Sequence, residues 1–207
     1  MSNSNEGEIA LICIPDISGF TRFMAENNIE FSRKIIPPLM RTIINSNTLK
    51  MSIGEIEGDA VIFYRFGALP TLNDLVEQCN NFYNNFNEQL LVLMKEFGDD
   101  FQKLNSSFKL SLKVVVHAAH IMSTQIEGLH KLIGEDMVLV HKLLKNSIEE
   151  IEYLLLTDKL LENYSKEEIS TVFSKYNVLK GTDEYEYIGK VAYKYILFPQ
   201  NNSVKNN

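Results

Sequence analysis

The feature that most constrains the fold is a long apolar stripe with helical spacing between Leu75 and Phe97. Large side chains recur there at steps of three and four residues, over roughly six helical turns: Leu75, Cys79, Phe82, Phe86, Leu90, Leu93 and Phe97. A helix with one wide apolar face must bury that face against another element. The stripe therefore predicts a core helix and not a cofactor site.

Short apolar segments on either side of this helix predict strands. Six of them have the length and composition of strands: 8–14, 52–57, 60–66, 108–122, 152–157 and 184–198. Gly58-Asp59, between the second and third segments, predicts a tight hairpin turn. Gly189 interrupts the alternation of the last segment, which predicts a hairpin or a bulged strand.

Three further helices are predicted at 29–44, 134–146 and 158–164. In the first, Pro37-Pro38 must either kink the helix or open its main part. The first six elements follow the order β-α-β-β-α-β, which predicts a ferredoxin-like core of the α+β class. We expect a largely antiparallel sheet with helices on one face. One domain is expected over residues 7–199, with polar tails at 1–6 and 200–207.

Charge and composition restrict the partners and the compartment. The net charge of −7 argues against binding to nucleic acid or to an anionic membrane, because both attract basic surfaces. Cys13 and Cys79 lie in apolar patterns, which predicts buried thiols in a reducing cytoplasm. The amino-terminal residues have no signal-peptide pattern, and no apolar run reaches the ~20 residues of a membrane span. We therefore expect a cytoplasmic protein.

Two aspartates lie in turn segments that this topology brings together. Asp16 ends the first predicted strand and leads into a glycine-containing loop, and Asp59 lies at the tip of the predicted hairpin. Such a loop can direct backbone N–H groups at a phosphate. Two adjacent carboxylates repel each other unless a divalent cation lies between them, and Mg²⁺ suits oxygen ligands. The alternative is that Asp16 caps a turn and Asp59 only occupies one.

These segments resemble motifs of the class III adenylyl and guanylyl cyclases. Asp16–Thr21 (DISGFT) is similar to their first metal-binding and phosphate-loop motif, and Gly58-Asp59 is similar to their second metal-binding motif. Leu112–Ala119 (LKVVVHAA) resembles the following strand, in which a histidine is common at the place of His117.

The resemblance continues in the next helix. Gly134–Leu143 is similar to the helix that usually carries a paired Asn and Arg in these enzymes. The motifs occur in the family's order and together cover roughly Glu8 to Thr157. The segment GEDMVLVHKLLKNS also resembles a little-characterised bacterial offshoot of this superfamily.

The resemblance implies a site for a purine nucleoside triphosphate with Mg²⁺ or Mn²⁺. The metals would be held by Asp16, Asp59 and the backbone carbonyl of Ile17, and the phosphates by Ser18, Gly19, Phe20 and Thr21. In the family, the metals activate the ribose 3′-hydroxyl for attack on the α-phosphate. The family's site is shared across a dimer, which implies a homodimer with two clefts.

Several positions depart from the family's pattern. Aligning Gly134 with the family glycine places Val138 at the Asn position and Lys142 at the Arg position. Val138 cannot hydrogen-bond a ribose. Lys142 would supply the positive charge of the catalytic Arg, but it lacks the planar, bidentate guanidinium. The purine-selecting Lys position is Glu55, and the second purine-contacting position is Lys131.

The metal-binding motifs match the family, but the positions for ribose and purine recognition do not. Three candidate functions are therefore considered. The first is a cyclase-like domain that binds metal and nucleotide in a regulatory role but has lost, or greatly reduced, cyclisation. The second is an active adenylate or guanylate cyclase with an atypical base-recognition half-site. The third is a structural or interaction domain without a ligand.

Two smaller questions concern other polar residues. Lys142 and Asn146 share one face of the predicted helix, where they form either a displaced half-site or part of a solvated surface. His117 and His120 are three residues apart on a strand and therefore face opposite sides, which argues against a zinc site.

Overall fold

A computed structural model describes residues 8–98 and 110–199. Its strands are β1 (Glu8–Ser18), β2 (Ser52–Glu57), β3 (Ala60–Phe66), β4 (Ser111–Ile126), β5 (Leu129–Ile133), β6 (Tyr153–Thr157), β7 (Val178–Tyr185) and β8 (Gly189–Leu197). Its helices are α1 (Phe20–Glu26), α2 (Ile29–Asn45), α3 (Leu72–Glu96), α4 (Glu135–Leu143), α5 (Asp158–Leu161) and α6 (Lys166–Phe173). The tails predicted at 1–6 and 200–207 lie outside the described residues.

The strands form one sheet in the order β2-β3-β1-β4-β6-β8-β7, and β5 pairs with the end of β4. All pairs are antiparallel except β4 with β6. The first four strands have the order of a β-α-β-β-α-β unit, in which β1 lies between β3 and β4. The predicted α+β class with a largely antiparallel, ferredoxin-like core is therefore confirmed.

The larger core lies between the sheet and α2 and α3. The stripe predicted from Leu75 to Phe97 supplies most of the helical side of this core. Phe82 stacks on Phe63 of β3 with ring centroids 5.3 Å apart, and Tyr83 stacks on Phe198 at 4.2 Å. Cys13 and Cys79 are buried free thiols, as predicted.

The opposite face of the sheet is covered by a smaller layer. Met137 and Val140 of α4 pack with Leu132 of β5 against Ile12 and Ile62 of the central strands. The expectation of helices on one face therefore describes α2 and α3 correctly but omits α4. The sequence between β5 and β6 does not indicate on which face of the sheet α4 packs.

The boundaries of several elements differ from the prediction. α2 begins at Ile29, where the Asn28 side chain accepts the N–H of Phe31, and it continues through Pro37-Pro38. The alternative in which the prolines open the helix is therefore wrong. The segment predicted as a hairpin or bulged strand around Gly189 is the hairpin of β7 and β8.

Gly134 precedes α4 at a point where another backbone approaches closely. A Cβ atom at this position would lie 2.7 Å from the carbonyl oxygen of His120. We expect Gly134→Ala to lower the free energy of unfolding by about 1–3 kcal/mol, because a backbone oxygen cannot rotate away. The check is the urea unfolding midpoint. Gly98→Ala is the matched control, since its Cβ would meet nothing within 4 Å among the described residues. Equal midpoints for the two variants would contradict this prediction.

Candidate functional site

Asp16 and Asp59 lie next to each other at one end of the sheet. Asp16 pairs in register with Ala60 of β3, the residue that follows Asp59. The N–H of Ile17 donates to the carbonyl oxygen of Asp59 at 3.1 Å, which fixes the hairpin turn against β1. The adjacency expected from the topology is therefore present, and it brings together two carboxylates from segments more than forty residues apart in sequence.

Lys113 is the third charged residue at this point, and it was not among the residues predicted from the sequence. It lies opposite Asp16 in the register of β1 and β4. Its Nζ atom is 3.0 Å from Oδ2 of Asp16 and donates to the carbonyl oxygen of Leu144 at 2.8 Å. Both side chains are mostly buried, so the ion pair is shielded from water.

The charge of Asp16 affects the protonation of Asp59. Burial, followed by the neighbouring charge of Asp16, raises the pKa of Asp59 to about 6. Lys113 opposes this increase but does not cancel it. Asp59 therefore carries an electrostatic cost in its charged form, and a cation placed beside it would relieve that cost.

The predicted phosphate-binding residues follow Asp16 directly. Gly19 adopts a left-handed conformation with φ of 83° and caps the start of α1 without a side-chain hydrogen bond. Thr21 is exposed, and Phe20 packs on the main core. The hydroxyl of Ser18 donates to the carbonyl oxygen of Ile151 at 2.8 Å, so this side chain already has a partner within the protein.

The segment between α4 and β6 is fastened to the same end of the sheet. The carbonyl of Ile151 accepts hydrogen bonds from the hydroxyls of Ser18 and Ser111, and the carbonyl of Leu144 accepts from Lys113. These contacts hold residues 144–151 beside the aspartate pair.

The other half of the predicted site lies on α4. Val138 is 53% exposed, and Lys142 is exposed as well. Asn146 lies beyond the end of the helix at Leu143, and its side chain donates to the carbonyl of Leu143 and to the hydroxyl of Tyr153, both at 2.7 Å. The expected shared helix face for Lys142 and Asn146 is wrong, because the helix ends before Asn146, whose side chain is partly buried.

Glu55 and Lys131, at the two positions matched to purine recognition, contact each other. Nζ of Lys131 lies 3.0 Å from Oε2 of Glu55, across the gap between β5 and β2. Each is therefore the ionic partner of the other within a single chain. Close by, Nδ1 of His141 lies 3.3 Å from Oε2 of Glu57, which connects α4 to the hairpin that carries Asp59.

His117 is buried in a polar network that was not expected from the sequence. Its Nδ1 lies 2.8 Å from the hydroxyl of Thr157, and its Nε2 lies 3.2 Å from Oδ1 of Asp136. Burial alone would raise the pKa of Asp136, but hydrogen bonds from His117, Lys159 and the backbone N–H of His120 hold it well below its usual range. The network ties the first turn of α4 to β4 and β6. It therefore fixes the helix that carries Val138.

Within residues 8–98 and 110–199, no three His, Cys, Asp or Glu side chains form a metal-binding group. Two carboxylates plus backbone oxygen can nevertheless complete an octahedral Mg²⁺ shell with water. No helix in the same part of the chain is long and apolar enough to cross a membrane.

The fold is similar to that of nucleotidyl cyclase catalytic domains. The guanylyl cyclase Cya2 matches with a TM-score of 0.67 at 15% identity, over 95% of this chain and 98% of Cya2. The adenylyl cyclase CyaB from P. aeruginosa matches with a TM-score of 0.61 at 12% identity, over 94% of this chain and 96% of CyaB. The guanylate cyclase domain of RhGC from Catenaria anguillulae was solved with GTP. It matches with a TM-score of 0.57 at 14% identity, over 93% of this chain and 98% of that domain.

Comparisons of sequence place the chain in a narrower group. It is 27% identical over 150 residues to the uncharacterised protein Rv2561/Rv2562 of Mycobacterium tuberculosis, which covers 70% of this chain. The match spans 66% of the length of that relative. The model of a family described as "Protein of unknown function (DUF2652)" matches residues 36–153, more than half of the chain. The chain, which has the fold of a nucleotidyl cyclase catalytic domain, therefore belongs to the DUF2652 family.

Proposed function

We propose that this chain is a nucleotidyl cyclase-like domain that binds a purine nucleoside triphosphate with Mg²⁺ or Mn²⁺ and has lost, or greatly reduced, cyclisation. It would act as a regulatory, nucleotide-binding module, from a divergent bacterial offshoot of the cyclase superfamily. The observation that supports this function is the convergence of Asp16, Asp59 and Lys113 at one end of the sheet. The helix α4 exposes Val138 and Lys142.

The aspartate pair fits a divalent cation in charge and chemistry. Two carboxylates at one point are costly without a counter-charge, as the pKa of Asp59 at about 6 indicates. Asp16, Asp59 and the carbonyl of Ile17 would hold the cation. A bound cation would supply positive charge to the phosphate oxygens of the nucleotide.

Lys113 gives the site a second positive group. Its ammonium already contacts Asp16, and a phosphate oxygen is a stronger partner for it than the carbonyl of Leu144. A cation bound to Asp16 would replace Lys113 as the ionic partner of that carboxylate, so Lys113 could then pair with a phosphate. The first turn of α1, after Gly19, would add backbone N–H donors near Ser18, Phe20 and Thr21.

The opposite half-site lacks the groups that cyclisation needs. In a homodimer of this fold, α4 of one copy would face the aspartates of the other. Val138 offers no hydrogen bond to a ribose, and Lys142 offers a single point charge where a planar fork is required. Glu55 and Lys131 pair with each other, so a purine would have to compete with an existing ion pair.

A ligand-free interaction domain is the second candidate, and one observation favours it. The Asp16–Lys113 ion pair already satisfies one of the two carboxylates within the chain. In that case the aspartates are structural and a cation adds nothing to stability. An active cyclase is the third candidate and requires that other residues replace Val138 and Lys142. A cytoplasmic location fits each of the three.

Binding of a cation should raise the melting temperature, because only the native state holds the aspartates together. We expect millimolar Mn²⁺ or Mg²⁺ to raise it by several degrees, and Asp59→Asn to abolish the rise. Differential scanning fluorimetry with and without EDTA measures the shift. Glu88→Gln, an exposed acid on α3, is the control and should retain the full rise. Equal shifts in Asp59→Asn and the unmodified protein would support the interaction domain.

The raised pKa of Asp59 has a consequence for stability in the absence of divalent cations. Between pH 4 and 6 the folded state holds a proton that the unfolded state has lost, so stability falls as the pH rises through this window. Asp59→Asn removes this cost. We expect it to stabilise the protein by on the order of 1 kcal/mol at pH 7.5, after allowance for solvent screening, and by much less at pH 4.5. Urea unfolding at both pH values in EDTA tests this; a gain that is independent of pH would contradict it.

Cyclase activity should be very low in the unmodified protein. Loss of one preorganised donor typically lowers the rate by about 10²–10³, and loss of the Arg fork lowers it further, to a total on the order of 10⁴-fold. We expect the double variant Val138→Asn, Lys142→Arg to form more cyclic nucleotide than the parent, with ATP or GTP and Mn²⁺. Light scattering on the same samples gives the molar mass, and so establishes whether the protein forms the dimer in which the two half-sites would lie together. Robust product from the unmodified protein, abolished by Asp59→Asn, would show that it is an active cyclase.

A further inference from the structure

The two edge strands of the sheet differ in how they are protected against pairing with another strand. The first, β2, has a register shift between Ile53 and Glu55 and contacts β5, where Lys131 pairs with Glu55. The other, β7, pairs with β8 without interruption from Val178 to Tyr185 and contains no proline. No strand within residues 8–98 and 110–199 lies on its outer side. A long, regular edge of this kind is a template for another strand.

Alternate residues of β7 direct their backbone polar groups outward. The hairpin of β7 and β8 closes at Tyr185, which is paired with the first residue of β8 and whose carbonyl oxygen accepts the N–H of Ile188. In an antiparallel pair, residues exchange hydrogen bonds at every second position. Counting back from Tyr185, the odd-numbered residues of β7 bond to β8. Lys180, Thr182 and Glu184 therefore direct their N–H and C=O groups away from the sheet.

The side chains of these three residues form a symmetric pattern of charge. They lie on one face of the strand, and all three are exposed. Lys180 and Glu184 carry opposite charges at equal distances on either side of Thr182. Neither forms an ion pair with any described residue, although Glu184 lies opposite Lys190 of β8. The edge is therefore complementary in charge to an inverted copy of itself.

We propose that β7 pairs with β7 of a second copy of this chain, antiparallel and centred on Thr182, which is independent of the nucleotide-binding function proposed above. A two-fold axis at Thr182 places Lys180 of each copy opposite Glu184 of the other. Thr182 then faces its own counterpart, a favourable cross-strand pair. On the other face, Leu179 of one copy meets Tyr185 of the second. Since each outward-facing residue donates once and accepts once, the pairing forms about six backbone hydrogen bonds.

Charge selects this register over the neighbouring ones. A two-fold axis at Lys180, at Asp183 or at Glu184 would place two like charges directly opposite each other, which is unfavourable. An axis at Gly181 would place Lys180 opposite Thr182 and would form no ion pair. The axis at Thr182 forms two ion pairs and brings no like charges together.

This interface is distinct from one that would join the half-sites of two copies. β4, β6 and β8 lie between β7 and β1, the strand that carries Asp16. Pairing through β7 would join two eight-stranded sheets edge to edge and would not involve the aspartates. The two modes of association can therefore be separated by substitutions in β7.

The test reverses charges at the two ends of the interface. Lys180→Glu alone, or Glu184→Lys alone, would place like charges opposite each other at both ends. We expect each variant to associate about tenfold more weakly than the unmodified protein, because two ion pairs change sign. An equimolar mixture of the two variants restores opposite charges at both ends and should associate as tightly as the unmodified protein. Sedimentation equilibrium at about 10–300 µM is suitable, since a single strand pair buries little surface.

Lys166→Glu, an exposed charge reversal on α6, is the matched control and should associate like the unmodified protein. Melting temperatures establish that each variant is folded. A monomeric unmodified protein over this range would overturn the proposal and would show that Lys180 only protects the edge. A mixture that associates no more tightly than either single variant would also overturn it.

A cross-link tests the register directly. Residues of a hydrogen-bonded antiparallel pair have Cα atoms about 5.5 Å apart, within the range that a disulfide spans. We expect Thr182→Cys to form a disulfide-linked dimer on mild oxidation, and Thr171→Cys, an exposed change on α6, to remain uncross-linked. Cys13 and Cys79 are buried and should not interfere. Equal cross-linking of the two variants, or none in Thr182→Cys, would contradict a two-fold axis at Thr182.

Discussion

The pairing of β1 on both of its edges is the constraint on which the rest of the structure depends. β1 is matched with β4 over eleven residues, from Glu8 to Ser18, and with β3 on its other side. Its middle residues are buried between the two core layers, with Leu11 and Cys13 facing α2 and α3 and Ile12 facing α4. A shift of one residue would exchange these faces, so the register is set by packing. The same register places Asp16 beside Asp59 and opposite Lys113.

Much of the fold follows from local patterns in the sequence. The stripe from Leu75 to Phe97 defines α3, and the turn at Gly58-Asp59 defines the hairpin of β2 and β3, because each signal lies within one short segment. The element order then places the two aspartates together. β5 and the first six residues of β7 gave no comparable signal. In β7, half-buried and exposed positions are mixed and no residue is fully buried.

The parts of the site that were missed depend on contacts between distant segments. Lys113 differs from its apolar neighbours in β4, which was the available signal, but its partner Asp16 is defined only by strand pairing. The network of His117, Asp136, Thr157 and Lys159 joins four elements, and no one of them predicts the others. Asn146 was misplaced for the same reason, because the helix ends three residues before it and its amide turns back to Tyr153.

The Asp16–Lys113 ion pair also sets the electrostatic potential of the site at rest. With the ammonium in place, the two carboxylates and the lysine together carry one net negative charge at most, and less when Asp59 holds a proton. An approaching divalent cation therefore meets a weaker attraction than an unneutralised pair would give, since Coulomb energy scales with that charge. Mostly buried, the pair is also little affected by ionic strength. In the proposed function, occupancy of the site would therefore follow the concentration of free cation instead of being saturated at all times.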